Sequence, residues 1–294
     1  MTGMQEGLLL KGIGGLYFVE AADEIWECRA RGIFRKTGVT PVAGDRVRFC
    51  ALEDGTGLLE EILPRRNLLI RPPVANLDCL VIVASVVQPS PHMLIIDKMT
   101  AIAEAKDIEP VIVVNKADLA EADGLASIYR QSGLDVFVVS AADGTGLIPL
   151  RKRLEGRISA FTGNSGVGKS SLLNRLEGMV LETGEISRKL GRGRHTTRTT
   201  ALYKMKNGGY IVDTPGFSSL EMEKILRIHT AELPGCFREF APYAGRCRFS
   251  SCAHVSEPGC AVREAVETGK IAPSRYESYL ALYQEAKTYK DWEE

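Results

Sequence analysis

The chain begins with short apolar runs separated by turn residues. Leu16 to Val19, Ile25 to Cys28, Arg46 to Ala51 and Leu58 to Leu63 are runs of strand-forming type, punctuated by Gly14-Gly15, Asp23, Gly44-Asp45 and Asp54-Gly55. Such residues take the backbone angles that tight turns need. Arg46-Val47-Arg48-Phe49 alternates polar and apolar, the pattern of a strand with one wet and one buried face. The pattern predicts a small all-β barrel over residues 1–71. A five-stranded oligonucleotide-binding barrel is one candidate, and an SH3-like barrel reads much the same. Arg71-Pro72-Pro73 reads as a linker.

Beyond it the period changes. Strands are predicted at Leu80 to Val87, Val111 to Val114, Val136 to Val139, Ser159 to Thr162 and Tyr210 to Val212. Helical spacing covers Met93 to Ala105, residues 123–131 and Ser170 to Leu176. Strands alternating with helices predict a doubly wound α/β sheet over residues 72–233. From about residue 234 the chain turns to Pro, Gly, Cys and aromatics, followed by two helical patterns, Ala261 to Glu267 and Ser274 to Lys290, with Pro273 suited to a helix start. Residues 234–294 therefore read as a third, mainly helical domain.

Composition narrows the class. The 294 residues are 45% hydrophobic and 25% charged, which suits packed cores and excludes a disordered chain. The formal net charge is zero, so contact with nucleic acid would depend on local basic patches. Met1 to Gly15 lacks a charged start followed by a long apolar run, and no run approaches the roughly 18 apolar residues of a membrane span. A soluble, cytoplasmic protein without a membrane partner is expected. Of seven cysteines, Cys28, Cys50 and Cys79 sit in strand-like runs and read as small buried hydrophobes, while Cys236 has no clear context. The odd count argues against a disulfide framework.

Each strand end carries chemistry. Gly163-Asn164-Ser165-Gly166-Val167-Gly168-Lys169-Ser170 fits the phosphate-loop pattern G-x-x-x-x-G-K-[ST], with Ser171 next along. Its glycines let backbone N–H groups turn toward phosphates, Lys169 can reach the outer phosphates, and the Ser170 hydroxyl can ligate Mg²⁺. Asn115-Lys116-Ala117-Asp118 follows another strand. The Asp118 carboxylate can accept both donors of a guanine edge, which adenine lacks. Lys116 would lie along the base, and Asn115 would tie this loop to the phosphate loop. Ser140-Ala141 follows a third strand, where the Ala141 N–H could meet the guanine oxygen. Asp213-Thr214-Pro215-Gly216 ends a fourth, with Asp213 a second candidate for Mg²⁺ and the Gly216 N–H a γ-phosphate contact. In an ordinary guanine-nucleotide domain the phosphate loop comes first. Here the guanine motifs precede it, so the chain reads as a circular permutation that keeps the site and moves the termini. GTP or GDP with Mg²⁺ is the expected ligand.

Arg188-Lys189-Leu190-Gly191-Arg192-Gly193-Arg194-His195-Thr196-Thr197-Arg198 lies where a first switch belongs. Thr196 or Thr197 is the candidate Mg²⁺-ligating threonine, and the basic side chains suit RNA phosphates. The residue after Gly216 is Phe217, where many GTPases place a water-orienting glutamine. His195 is the candidate for that role, with Lys169 the candidate for phosphate charge. Further along, Cys247, Cys252, His254 and Cys260 offer three thiolates and one imidazole, a closed set for one structural Zn²⁺.

The motif order, Gly191-Arg192-Gly193-Arg194-His195-Thr196-Thr197-Arg198, Asp213-Thr214-Pro215-Gly216-Phe217-Ser218-Ser219 and the cysteine–histidine cluster together closely resemble the circularly permuted, ribosome small-subunit-dependent GTPase family of bacteria. Gly32-Ile33-Phe34-Arg35-Lys36 and Ile70-Arg71-Pro72-Pro73 are similar to it as well, so the resemblance covers nearly the whole length. It implies an oligonucleotide-binding barrel, a permuted P-loop GTPase domain and a zinc-bound helical C-terminal domain. It also implies the 30S subunit and its 16S rRNA as partners, a role in late small-subunit maturation, and GTP hydrolysis stimulated by that particle. A monomer is expected. Gly166 stands where some potassium-activated GTPases carry asparagine, so that mode of activation is not expected. Two other readings use the same residues: an RNA-binding protein that holds GTP as a structural ligand, which Phe217 favours, and a permuted GTPase of large-subunit assembly, which the barrel and cysteine cluster disfavour.

Overall fold

A computed structural model describes residues 3–32, 34, 38–70, 72–177, 200–206, 208–213 and 227–289. By their contacts these fall into two compact units. One draws on Met1–Asp78, Leu154–Ala160 and Glu182–Gly216, the other on Cys79–Arg153, Phe161–Leu181 and Phe217–Glu294.

The first unit is built on β1 (Met4–Ile13), β2 (Leu16–Ala21), β3 (Glu24–Ala30), β4 (Arg46–Ala51) and β5 (Thr56–Ile62). Their order is β1-β2-β3-β5-β4, and β4 pairs back onto β1, so the sheet closes on itself. The β3–β5 pair is parallel and the other pairs are antiparallel. This is the five-stranded oligonucleotide-binding circuit, and it settles the choice that strand count alone left open. Within the barrel, strand β1 serves two neighbours: Met4 to Leu8 pair with β4 and Leu8 to Ile13 with β2. A register shift between Leu9 and Lys11 lets one strand turn that corner. The alternation expected for β4 holds, with Val47 and Phe49 inward and Arg46 and Arg48 outward. Leu9, Val19, Cys28, Val47, Phe49 and Leu59 fill the interior without measurable exposure.

Two later strands belong to this unit. β12 (Ala201–Lys204) and β13 (Tyr210–Asp213) form an antiparallel pair, and Lys11 of β1 pairs with Ala201. Side chains reinforce the join. Lys204 Nζ donates to Glu20 at 2.6 Å and Asp23 at 3.1 Å, and the Tyr210 hydroxyl donates to Glu20 at 2.6 Å. β13 runs parallel to Ile158 and Ser159 of β11 (Ile158–Thr162).

Arg71 lies outside the described residues, but for Pro72 and Pro73 the reading as a linker is corrected. Pro73 opens β7 (Pro73–Ala75), which pairs with β6 (Leu68–Ile70), Ile70 opposite Pro73. Proline is tolerated at the first position of such a short pair. Arg66 donates to the Leu77 carbonyl and to Asp78, and the Asn67 amide exchanges bonds with both backbone groups of Leu77. The segment is folded back and fastened.

In the second unit β8 (Cys79–Ser85), β9 (Glu109–Asn115) and β10 (Asp135–Val138) form a parallel sheet in the order β10-β9-β8. β8 is buried along its whole length, which explains its unbroken apolar sequence: a parallel strand covered on both faces has no polar side. The helices are α1 (Met93–Ala105), α2 (Asp123–Gln131), α3 (Leu147–Arg153) and α4 (Lys169–Glu177). α1 buries Ile96, Met99 and Ile102. After two 3₁₀ turns, Leu233–Cys236 and Arg238–Tyr243, come α5 (Ala261–Glu267) and α6 (Pro273–Ala286). α6 starts at the expected proline. Besides β6 and β7, the elements β1, α3 and β12 also escape the sequence pattern. Cys28, Cys79 and Cys236 are buried, but Cys50 is only half-buried, so the expectation of a fully buried hydrophobe is corrected there. β4 ends in an alternating register that turns Cys50 partly outward.

Candidate nucleotide site and metal centre

The phosphate loop follows β11 and opens α4, so its residues sit where a strand hands over to a helix N-terminus. That position directs unpaired backbone N–H groups and the positive end of the helix dipole at an anion. Gly163, Gly166 and Gly168 have φ of 142°, 83° and 94°. At Gly163 a Cβ would fall on the Val83 carbonyl oxygen, and at Gly168 on the Asn115 amide nitrogen. Both glycines are therefore required by close approach as well as by backbone angle. Val167 is buried, Ser165, Gly166, Ser170 and Ser171 are exposed, and Asn164 lies between. Lys169 Nζ donates to the carbonyls of Gly163 and of Asn164, the latter at 2.9 Å. Burial pulls the Lys169 pKa below its ordinary value.

Asn115 is the hinge of the arrangement. It ends β9 with 1% exposure. Its amide nitrogen donates to the Val167 carbonyl at 2.9 Å, and its amide oxygen accepts the Ala141 N–H at 3.1 Å. One side chain therefore joins three motifs: its own, the phosphate loop and the Ser140-Ala141 loop. Lys116 adopts φ of +66°, and its ammonium donates to the Gln88 carbonyl. The Ala117 N–H is held by Val139 at 3.1 Å, while Asp118 is exposed. Ser140 is fully buried, and its hydroxyl accepts the Asp143 N–H at 3.3 Å. The Ala141 N–H, expected to meet a guanine oxygen, is bonded to Asn115.

Asp213 is the last residue of β13, and its side chain lies outside the described atoms. His195, Thr196, Thr197, Gly216 and Phe217 lie outside the described residues. Sequence reasoning missed Gln88, Arg151 and Arg175, which hold these loops through backbone carbonyls. The Arg175 guanidinium donates to the carbonyls of Ala141 and Ala142, and Arg151 donates to the carbonyl of Arg175 at 2.9 Å. No motif marks an arginine whose partners are carbonyls of another loop.

The metal candidates do converge. The ligand atoms of Cys247, Cys252, His254 and Cys260 all lie within 4.8 Å of one another. Cys247 Sγ is 3.6 Å from His254 Nδ1 and 4.0 Å from Cys260 Sγ, and His254 Nδ1 is 3.4 Å from Cys260 Sγ. Zinc bond lengths give tetrahedral edges of about 3.8 Å between sulfurs and about 3.5 Å from sulfur to nitrogen. The donor set and its spacing fit one tetrahedral Zn²⁺. His254 has φ of +60°, an unusual angle for a residue with a side chain. It is held there from all sides. Tyr276 donates to its carbonyl at 2.8 Å, its ring meets Phe240 edge-on at 5.8 Å, and Glu257 accepts the N–H groups of Ala253, Val255 and Ser256 around it. Burial also keeps the His254 imidazole below its ordinary pKa, favouring the neutral form that binds metal. Partial burial raises the Glu257 carboxyl, but the backbone N–H bonds it accepts, its own among them, outweigh this and hold its pKa at about 2.

No helix among the described residues is long and apolar enough to cross a membrane. The family model described as the RsgA N-terminal domain matches residues 6–59, and the one described as RsgA GTPase matches residues 62–223. A small ribosomal subunit biogenesis GTPase RsgA from Ruminiclostridium cellulolyticum is 45% identical over 97% of this chain and 94% of its own length. One of the same name from Caldanaerobacter subterraneus is 46% identical, covering 96% of each. Among solved structures, YjeQ from Thermotoga maritima superposes with a TM-score of 0.83 at 38% identity, covering 98% of this chain and all of the other. YloQ, described as a circularly permuted GTPase, gives 0.82 at 36% identity over 98% of this chain and 96% of its own. With a family match that takes in more than half of the residues and relatives aligned almost end to end, the chain belongs to the RsgA GTPase family.

Proposed function

We propose that the protein is a GTPase of small ribosomal subunit biogenesis, hydrolysing GTP to GDP and phosphate with stimulation by the 30S particle. The observation that carries this reading is Asn115, whose side chain joins the phosphate loop to the guanine loops although the sequence delivers them in permuted order. The relatives' shared name supports the small subunit as the partner. On this reading the backbone amides of residues 163–170 hold the phosphates, Lys169 leaves its loop carbonyls for the β- and γ-phosphates, and Asp118, Lys116 and Ala141 select guanine. Ser170 and Asp213 are the residues to hold Mg²⁺, with Thr196 or Thr197, and the ion would neutralise charge on the phosphates. Gly216 contacts the γ-phosphate, and His195 orients the attacking water in place of the glutamine that Phe217 displaces. Cys247, Cys252, His254 and Cys260 hold Zn²⁺, which staples a segment with little core of its own. The organisation is a barrel over 1–71, the GTPase domain over 72–233 and the zinc-bound domain over 234–294. The protein acts as a cytoplasmic monomer that contacts 16S rRNA.

The test is steady-state phosphate release from GTP with 30S subunits, with 50S subunits and with neither. Stimulation by 30S alone is expected. Equal turnover in all three would leave GTP as a structural ligand, and stimulation by 50S alone would assign the protein to the other subunit. His195→Ala should lower turnover while GTP affinity stays unchanged. Turnover equal to that of the unaltered protein would remove His195 from the mechanism.

A further inference from the structure

Arg175 and Arg151 form a reciprocal clasp that the nucleotide chemistry described so far does not use. Arg175 lies near the end of α4, the helix that begins in the phosphate loop. Its Nε donates to the Ala141 carbonyl at 3.1 Å, and a terminal nitrogen donates to the Ala142 carbonyl. In return Arg151, on the helix that follows the Ser140-Ala141 loop, donates to the main-chain carbonyl of Arg175 at 2.9 Å. Each element thus lends a guanidinium to the backbone of the other. The planar fork suits this role, because one side chain reaches two successive carbonyls with donors fixed in a plane.

The consequence falls on Ala141. Its N–H is held by Asn115 and its carbonyl by Arg175. The peptide groups on both sides of this residue are therefore oriented by two elements of the site, β9, which ends in Asn115, and α4, which begins in the phosphate loop. If the Ala141 N–H is to pass from the Asn115 oxygen to a guanine oxygen, the loop must keep its path while one bond changes partner. The two carbonyls on Arg175 supply that constraint, since neither of those bonds uses the Ala141 N–H.

We propose that Arg175, supported by Arg151, is a positioning residue for guanine recognition: it fixes the Ser140-Ala141-Ala142 backbone against the phosphate-loop helix so that the Ala141 N–H is presented to the base. The proposal rests on the guanine-nucleotide reading of the site. It requires Arg175 to act on the base and not on the phosphates, which separates it from a general role in holding the fold.

The experiment measures binding of GDP, ADP and inorganic pyrophosphate to the full-length protein by calorimetry, for the unaltered chain and for Arg175→Ala, Arg175→Lys and Arg151→Ala. Loss of two carbonyl bonds predicts that Arg175→Ala weakens GDP roughly tenfold while pyrophosphate is unchanged, so the preference for GDP over ADP shrinks by the same factor. Arg175→Lys keeps the charge but not the fork and should recover only part of that preference. Arg151→Ala should shift it in the same direction by less. Equal weakening of GDP and pyrophosphate would overturn the proposal, as would an unchanged preference. Should Arg175→Ala not fold, Arg151→Ala and Arg175→Lys decide by the same criterion. An unaltered protein that bound ADP as tightly as GDP would refute the guanine reading itself, a result distinct from failure of the clasp.

Discussion

Glu257 shows what one side chain can set without touching the reacting atoms. It accepts the N–H groups of Ala253, Val255 and Ser256, the residues on either side of His254, at 2.9 to 3.0 Å. The carboxylate thereby fixes a loop in which a histidine must hold φ of +60°. Glutamine has one acceptor oxygen where glutamate has two, so Glu257→Gln leaves part of this set unpaired. Zinc affinity, measured by competition with a chelator, should fall roughly tenfold, the lower range for groups that orient metal ligands. An unchanged affinity would show that the loop orients itself. The four candidate metal ligands were legible in the sequence because their residue types and spacing are the signal. Glu257 was not, because its partners are backbone groups that any residue would offer. The same holds for Arg175, whose acceptors lie 33 and 34 positions away.

At the scale of elements, the barrel divides into what pattern reveals and what closure requires. β4 alternates and was legible. β1 carries Leu8-Leu9-Leu10 with glycines on either side, and it pairs with β2, β4 and β12, so no single periodicity describes it. Phe49 occupies the barrel interior and meets Trp26 at 5.6 Å between ring centroids. Phe49→Ala should cost about 3–5 kcal/mol in urea unfolding, the range for losing a buried aromatic. A loss below about 1 kcal/mol would mean that the barrel collapses around the gap. Glu20 joins the barrel to β12 and β13 through Lys204 and Tyr210. In Glu20→Ala the amides of β12 and β13 should exchange hydrogen faster while those around Phe49 keep their protection. Uniform protection would show that the main-chain pairing at Lys11 and Ala201 suffices.

At the scale of the molecule, the second unit is organised around a buried arginine. Arg275 is 1% exposed and donates to Asp97 at 2.8 Å, to Thr100 at 3.0 Å and to Glu239 at 2.7 Å, with its guanidinium over the Phe237 ring. It therefore fastens α6 and the 3₁₀ segment to α1, the helix beside the sheet that carries Asn115. Lys98 to Glu285 at 2.7 Å and Arg238 to Glu109 at 3.0 Å add to the same junction. Arg275→Met removes the shared cation and leaves two buried carboxylates together. Breaking such a set should cost about 3–5 kcal/mol of stability by chemical denaturation. A variant as stable as the unaltered protein would show that apolar packing alone holds the junction. Metal removal would reach α6 through Tyr276 and Tyr279, which donate to the carbonyls of His254 and Ala253. Chelation should open residues 244–260 to protease before the sheet is attacked. Cleavage kinetics that ignore the chelator would refute a stapling role for the metal.

Local chemistry settles part of this protein from the sequence alone. A phosphate loop needs glycines where its backbone meets other backbone, a guanine loop needs its aspartate, and a zinc site needs its thiolates. Those requirements are written in residue type and short spacing, so the motifs, their permuted order and the α/β alternation could be read in advance. Barrel closure, the hinge at Asn115, the folding-back of Pro72 and Pro73, the arginine clasp and the Arg275 junction could not. Each joins groups far apart in the chain through acceptors, often carbonyls, that carry no residue-specific mark. Only the tertiary structure brings those groups within hydrogen-bonding distance, and only there does an arginine on a helix come to hold the backbone of another loop.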